Sequence, residues 1–267
     1  MRPGEPILRD VLPASLAAEM HGQVAVLTLC RPEKRNALND ETVLGLEAFF
    51  AALPAAARAV VIAAEGENFS AGLDLSEITE RNTVDGIAHS MMWHRAFERL
   101  EFGRVPVIAV LKGAVVGGGL ELAAATHVRV AEPSAYYALP EGQRGLFVGG
   151  GASVRVPRLI GAARMADMML TGRVHDAEAG QAMGLSHYLV GPGEGLAKAM
   201  ELAGRVASNA PLTNFAVIHV LPRIAEANPR EGFVMESMMA AIAQGSDDAK
   251  DRLRAFLEKR AKKVTEF

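Results

Sequence analysis

Residues 113–122 read GAVVGGGLEL, and this stretch decides how the chain folds. It follows an apolar run at residues 105–111, which predicts a strand, and it leads into a second apolar run that predicts a helix. Three consecutive glycines, at 117–119, let another group approach the backbone closely. The start of a helix also leaves several N–H groups without partners inside the helix. We therefore expect a site that donates hydrogen bonds to an oxygen carrying negative charge.

Two familiar glycine-rich phosphate motifs do not fit this stretch. A dinucleotide fingerprint needs a glycine where Leu122 stands, and a P-loop needs a Lys-Ser or Lys-Thr pair after the glycines. Glu121 is the unusual residue, because its neighbours are glycine, leucine and alanine. It is either a first-turn glutamate favoured by the helix dipole or a carboxylate buried for a chemical purpose, and the stretch alone leaves both open.

Outward from this stretch, strands and helices alternate. The predicted strands cover residues 24–29, 59–64, 105–111, 127–131 and 135–139, and the predicted helices cover residues 41–53 and 83–101. Beyond about residue 193 the pattern changes to helices alone, at residues 196–208, 213–227, 232–244 and 247–263. The alternation predicts an α/β core over residues 1–195, and the change predicts a helical region over residues 196–267.

A second glutamate stands at the end of a predicted strand. Glu141 follows Pro140, just past residues 135–139, where α/β folds place chemistry. A solvated loop glutamate is the simpler explanation for Glu141 alone. Paired carboxylates with separate roles are a common acid–base device, so Glu141 gains meaning only if it faces Glu121.

The step Ala71-Gly72-Leu73 supplies a second candidate donor. A small residue and a glycine after a strand can expose a backbone N–H. Together with an N–H from the triple-glycine turn, it could clamp one oxygen. The alternative is an ordinary turn with Leu73 packed inward.

Composition and charge argue against a disordered, a membrane-spanning or a nucleic-acid-binding protein. The chain has 267 residues, of which 50% are hydrophobic, and a formal net charge of −3. A disordered chain would be poorer in apolar residues, a membrane span would need about 18 consecutive apolar residues, and a nucleic-acid surface usually has a basic excess. The seven histidines show no metal-ligand spacing, and the single Cys30 cannot pair within the chain. We expect a cytoplasmic protein that binds no metal, nucleic acid or membrane.

The motifs FSAGLDL at residues 69–75 and GAVVGGGLEL at residues 113–122 resemble the two signatures of the crotonase (enoyl-CoA hydratase/isomerase) superfamily. RPEKRNAL at 31–38 and FLEKR at 256–260 resemble it too, so the likeness runs from about residue 20 to the C-terminus. The resemblance implies an α/β, crotonase-type spiral of repeated ββα turns with a C-terminal helical trimerisation region. It also implies homotrimers or dimers of trimers and an acyl-CoA thioester substrate, with coenzyme A arriving as part of the substrate and no other cofactor.

The resemblance further implies roles for four positions. The N–H groups of Leu73 and Gly118 would form an oxyanion hole for the thioester carbonyl. Hydratases of the superfamily carry two glutamates at the positions of Glu121 and Glu141. By this likeness Glu121 would hold and activate water as a base, and Glu141 would protonate the α-carbon. Isomerases, decarboxylases and dehalogenases of the superfamily usually lack one or both glutamates.

Candidate contacts to coenzyme A follow from the same likeness. They are Arg31, Lys34, Ala71, Asp74, Leu75, Phe256 and Lys259. The cations would lie near the nucleotide, the backbone around Ala71 and Leu75 would meet the adenine, and Phe256 would cover the pantetheine. Solvated surface charge is the alternative for any one of the cations.

Residues 136–174 resemble the hydratases that act on methylthioacryloyl-CoA in bacterial dimethylsulfoniopropionate breakdown. That activity adds water at the carbon bearing the thiomethyl group and releases methanethiol, after which the thioester can be hydrolysed. Three other functions stay open. They are a general short-chain enoyl-CoA hydratase, an enoyl-CoA isomerase or acyl-CoA hydrolase of the same superfamily, and a non-catalytic or RNA-binding oligomer.

Overall fold

The computed structural model describes residues 4–77 and 82–258. Its strands are Glu5–Pro6 (β1), Leu16–His21 (β2), Val24–Leu29 (β3), Ala59–Ala64 (β4), Val107–Leu111 (β5), Ala114–Val116 (β6), Val128–Ala131 (β7), Tyr136–Ala138 (β8) and Tyr188–Leu189 (β9). The helices up to residue 207 are Asp40–Ala52 (α1), Thr83–Glu101 (α2), Gly118–Ala124 (α3), Ala152–Ile160 (α4), Ala162–Thr171 (α5), Ala177–Met183 (α6) and Gly195–Ala207 (α7).

Two sheets organise the first part of the described chain. The larger has seven strands in the order β1-β2-β3-β4-β5-β7-β9, and the smaller pairs β6 with β8. β1, β2 and β3 are antiparallel, whereas every pairing from β3 to β9 is parallel. All six residues of β4 are buried, as expected for a parallel strand covered on both faces. The predicted α/β core is confirmed.

Helices cover both faces of the larger sheet. On one face, α7 packs Leu202 and Ala203 against strand residues that include Val61 and Val130. The opposite face carries α1 and α2, and there Phe49 packs in the main core. Burial of these apolar side chains is the principal stabilising contribution, about 1.5–3 kcal/mol for each large one.

The C-terminal part of the described chain is helical, as predicted. Its helices are Pro211–Phe215 (α8), Leu221–Glu226 (α9), Pro229–Gly245 (α10) and Asp247–Leu257 (α11), and a π-helical turn at Ala216–Val220 joins α8 to α9. The helix predicted over residues 213–227 is confirmed from residue 213 to Glu226, but the π-helical turn within it was not predicted. Pro222 has no N–H and its ring crowds the preceding turn, which accounts for the π-helical turn. The predicted helix at 247–263 is confirmed as far as Leu257, and residues 259–263 lie outside the described chain.

Several predicted bounds agree with the structure and others shift. The strands at 24–29 and 59–64 and the helix at 83–101 are confirmed as predicted. The helix predicted at 41–53 begins at Asp40, because the Asn39 side chain accepts a hydrogen bond from the Thr42 N–H and caps it. The strand predicted at 105–111 begins at Val107, just after Pro106.

Candidate active site

One cavity of about 550 Å³ opens at the carboxyl ends of the central strands. Its walls come from the loop after β4, the turn between β6 and α3, one face of α2, and the segment at residues 140–150. The α2 residues on the wall are Gly86, His89, Ser90 and Trp93, whose spacing of three and four puts them on one helix face. Four segments of the described chain that are distant in the sequence therefore line one cavity.

The loop after β4 and the turn before α3 are locked to each other by backbone hydrogen bonds. The Ser70 N–H donates to the Ala114 carbonyl at 2.8 Å, and the Val116 N–H donates to the Ser70 carbonyl at 3.1 Å. The Gly117 N–H donates to the Ala138 carbonyl at 3.0 Å, which ties the turn to β8. The two backbone segments that line the cavity are therefore held at a fixed separation.

The N–H groups of Leu73 and Gly118 lie side by side in this arrangement. A Cβ added at Gly118 would stand 3.3 Å from the Leu73 nitrogen, and one added at Gly72 would stand 3.0 Å from the Gly118 nitrogen. The Leu38 N–H donates to the Gly72 carbonyl, and the Leu38 carbonyl accepts from the Asp74 N–H. Because these two bonds lie on either side of Leu73, the Leu73 N–H is left free to face the cavity. Neither N–H donates to another group in the described residues. The structure thus places the two predicted donors next to each other, and their use by one oxygen stays a prediction.

Gly72 and Gly117 have backbones that favour glycine. Their φ angles are +90° and +51°, a region that residues with a side chain rarely adopt. A Cβ at Gly117 would also stand 2.6 Å from Glu141 Oε1. These two glycines therefore permit both the donor geometry and the approach of the second glutamate.

Glu121 lines the cavity, and its side chain is held on one side. Oε1 accepts hydrogen bonds from the N–H groups of Gly150 at 2.8 Å and Ala152 at 3.0 Å. Only 4% of the residue is exposed, and this burial raises the pKa of the Glu121 carboxyl. The two N–H groups oppose that rise, as does the positive charge of Arg155. Since both bonds go to Oε1, Oε2 is left for a molecule in the cavity.

Glu141 enters the same cavity from the turn after Pro140. Its Oε2 is buried and has no hydrogen-bond partner in the described residues. Burial raises the pKa of the Glu141 carboxyl to about 7, the negative charge of Glu121 acts in the same direction, and Arg144 opposes both. Glu141 therefore holds a proton near neutral pH more readily than an exposed glutamate does. The two carboxyls share one cavity but sit in different surroundings.

The predicted contacts to coenzyme A fall into three groups. Ala71 and Leu75 line the cavity. The Asp74 carboxylate is buried and accepts hydrogen bonds from Ser76 and from Arg31, whose Nη2 lies 2.7 Å away. These hydrogen bonds lower the pKa of Asp74 to about 2. The ion pair between Arg31 and Asp74 thus braces the loop that carries Leu73, and Asp74 is not among the described residues that line the cavity.

All seven contacts to coenzyme A stay predictions, and the remaining three are not among the described residues that line the cavity. Lys34 is exposed on a short helical turn after β3. Phe256 is 68% exposed on α11, and none of the described residues of that helix lines the cavity. Lys259 lies outside the described residues.

Sequence reasoning missed several residues of the site. Trp93 lies against Gly118, because a Cβ on that glycine would stand 2.8 Å from the Trp93 ring. Ser90 and the segment Gly149-Gly150 complete the wall. A signal for this segment exists in the sequence, three glycines at 149–151, but nothing there indicates that the N–H groups of Gly150 and Ala152 would hold Glu121.

The described residues contain no group of three or more histidine, cysteine, aspartate or glutamate side chains placed to hold a metal ion. None of the helices within 4–77 and 82–258 is long and apolar enough to span a bilayer.

Comparison with known proteins finds similar sequences and structures. The profile of the enoyl-CoA hydratase/isomerase family matches residues 19–266. A short-chain-enoyl-CoA hydratase of Clostridium acetobutylicum is 32% identical over 245 residues, which cover 91% of this chain and 94% of that protein. A Rhodopseudomonas palustris protein of known structure, provisionally named an enoyl-CoA hydratase, is 59% identical with a TM-score of 0.91, covering 93% of this chain and 96% of that one. Pseudomonas aeruginosa DspI is 30% identical with a TM-score of 0.88 over 94% of this chain and 97% of its own.

Proposed function

Because the chain belongs to the enoyl-CoA hydratase/isomerase family, the crotonase superfamily, we propose that it adds water across the double bond of an enoyl-CoA thioester. The observation that carries this proposal is the convergence of two adjacent N–H donors and two differently placed carboxyls on one cavity. An isomerisation needs only one acid–base group, whereas an addition of water needs one group to take a proton and another to give one.

In the proposed reaction, the thioester carbonyl oxygen accepts hydrogen bonds from the N–H groups of Leu73 and Gly118. Negative charge develops on this oxygen as water adds, so donors fixed in advance stabilise the transition state more than the ground state. Glu121 Oε2 orients the water and takes one of its protons while the oxygen bonds to the β-carbon. Glu141 gives its proton to the α-carbon. Glu121 then carries the proton and Glu141 is ionised, so a proton must pass from Glu121 to Glu141, directly or through solvent, before the next turnover; coenzyme A remains part of the product.

The two carboxyls make the reaction depend on pH in a defined direction. Glu141 acts as an acid and its pKa is about 7, so its protonated fraction and the rate both fall as the pH rises through 7. Glu121 acts as a base and must be ionised, so the rate also falls toward acidic pH. We expect a bell-shaped profile of kcat/KM, whose two limbs belong to the coupled pair. A profile that stays flat from about pH 6 to about pH 9 would contradict this assignment.

For the acyl group we propose methylthioacryloyl-CoA. The support is the resemblance of residues 136–174, together with an apolar cavity wall formed by Trp93, Leu146, Phe147 and Val148 that suits a small thiomethyl group. Water would add at the carbon bearing that group and give a thiohemiacetal. Its hydroxyl proton would then leave with the methylthio group as methanethiol, and an aldehyde would form. Hydrolysis of the remaining thioester is an optional later step.

Product analysis with two thioesters tests both levels of the proposal. With crotonyl-CoA we expect a 3-hydroxyacyl thioester, and with methylthioacryloyl-CoA we expect one methanethiol for each thioester consumed and a higher kcat/KM. Hydration of crotonyl-CoA, with no methanethiol released from methylthioacryloyl-CoA, would contradict the narrower proposal alone. A shifted double bond without added water would indicate an isomerase, and free coenzyme A before hydration would indicate a hydrolase. No turnover, with salt-sensitive RNA binding, would indicate a binding protein.

We also propose that the helical region at residues 196–267 assembles the chain into trimers or pairs of trimers. The support is a set of exposed apolar side chains on α10 and α11, which include Phe233, Met238, Ile242 and Phe256. The mass in solution, measured by sedimentation, separates trimer, hexamer and monomer, and a monomer would contradict this proposal.

A further inference from the structure

The side chain of Glu121 is aligned by a short segment of backbone at residues 149–152. Two N–H groups of this segment hold Oε1. We propose that Ser90 and Arg155 are positioning residues for Glu121, because Ser90 fixes a peptide group whose N–H holds the carboxylate and Arg155 fixes the peptide group that lies between the two donors. This inference rests on the proposed function, in which Glu121 is the base.

Ser90 fixes the first of these peptide groups. Its Oγ donates to the Gly149 carbonyl at 2.6 Å. The Gly149 carbonyl and the Gly150 N–H belong to the same planar peptide group, so a bond to one end orients the other end. Ser90 therefore connects α2, which forms one wall of the cavity, to the N–H that stands 2.8 Å from Glu121 Oε1.

Arg155 fixes the next peptide group. Its Nη1 donates to the Gly150 carbonyl at 3.0 Å, and its Nε donates to Glu101 Oε2 at 2.7 Å. A Cβ at Gly151 would stand 2.1 Å from Nη1, and the φ angle of Gly151 is +105°, so this turn accepts the guanidinium only because residue 151 is a glycine. Gly150 is thus hydrogen-bonded at both of its backbone groups: the Gly150 N–H donates to Glu121, and the Gly150 carbonyl accepts from Arg155.

The ion pair between Arg155 and Glu101 is itself an argument for function. The Arg155 side chain is only 8% exposed, and Glu101 is 23% exposed. A buried ion pair usually stabilises a protein no better than well-packed apolar side chains of similar volume. A role in holding the carboxylate explains why a guanidinium occupies this position.

The two residues act on Glu121 in different ways. The charged or titratable groups that face Glu121 are Glu141 from the turn after β8, His94 from α2 and Arg155 from α4. Arg155 brings a positive charge that lowers the pKa of the Glu121 carboxyl against the effect of burial. Ser90 is neutral, so it contributes alignment without charge. Replacing Ser90 and replacing Arg155 should therefore change the kinetics in different ways.

The test compares kcat, KM and the pH profile of kcat/KM, with crotonyl-CoA as the substrate, for Ser90→Ala, Arg155→Met and Arg155→Lys. We expect Arg155→Met to lower kcat about tenfold or more with KM little changed, and to move the acidic limb to higher pH. Ser90→Ala should lower kcat and leave that limb in place. Arg155→Lys keeps the positive charge but loses the planar guanidinium that bonds both the Gly150 carbonyl and Glu101. It should therefore lower kcat without moving the acidic limb of the pH profile.

Arg158→Met is the matched control, since Arg158 lies on the same helix with its side chain 54% exposed. The inference would be overturned if Arg155→Met kept the wild-type kcat and the wild-type acidic limb of the pH profile. It would also be overturned if Arg158→Met changed kcat and that limb as much as Arg155→Met does. If Arg155→Met does not fold, Arg155→Lys decides, and wild-type kcat in that variant overturns the inference. Glu121→Gln in the same assay separates the two levels, because full turnover there would contradict the proposed function itself.

Discussion

Replacing either cavity glutamate by glutamine should lower the rate of hydration at least about 100-fold, since each acid–base role is worth about 100- to 10,000-fold. Glutamine keeps the shape of the side chain but can neither accept the proton of the water nor deliver one to the α-carbon. Glu121→Gln removes the base, whose Oε1 is held by the N–H groups of Gly150 and Ala152. Glu141→Gln removes the acid. The measurement is steady-state hydration of crotonyl-CoA.

Binding should survive both changes, because the donors for the carbonyl oxygen are backbone groups. We therefore expect the Kd for the saturated thioester butyryl-CoA to stay close to that of the wild type. Glu178→Gln is the control, since Glu178 is exposed on α6 and away from the cavity wall. Unchanged turnover in both cavity variants would end the hydratase proposal.

Adding one methyl group at Gly118 should lower kcat about 100- to 1000-fold, which is the usual cost of losing one oxyanion donor. The new Cβ would stand 2.8 Å from the Trp93 ring and 3.3 Å from the Leu73 nitrogen. The ring or the backbone must then move, and the methyl group occupies the space beside both donors. Gly118 lies at the start of α3 and its φ angle is not positive, so alanine brings no backbone strain of its own.

Gly204→Ala provides the matched control for this experiment. Gly204 also lies in a helix, α7, and a Cβ there would meet nothing within 4 Å. We expect wild-type kinetics in that variant and a slight gain in stability, because alanine favours a helix. Wild-type kcat in Gly118→Ala would show that the two N–H groups do not hold the reacting oxygen.

The elements that could be predicted from the sequence are those with local signals. The strands Val24–Leu29 and Ala59–Ala64 are short apolar runs, and Thr83–Glu101 begins after a capping asparagine, Asn82, whose side chain accepts from the Asp85 N–H. The helices α4, α5 and α6 were missed. Each ends at a glycine with positive φ, Gly161, Gly172 or Gly184, so a stop signal was present, but these helices are short and α4 contains Pro157.

The two glutamates and the two donors were predicted from motifs, and the structure brings all four to one cavity. Ser90 and Arg155 were not predicted, because they act on backbone carbonyls at Gly149 and Gly150 and such contacts leave no motif. Asp74 stays a predicted contact to coenzyme A, but its ion pair with Arg31, 43 positions earlier in the sequence, was not predicted. Contacts of this kind depend on the tertiary fold rather than on local sequence.

A crystal structure of the chain with bound butyryl-CoA tests the central claim most directly. The account predicts the thioester oxygen within about 3.1 Å of both the Leu73 and the Gly118 nitrogens, with the β-carbon facing Glu121 Oε2 and the α-carbon facing Glu141. A thioester oxygen bound elsewhere, or a carboxyl turned away from the acyl carbons, would contradict it.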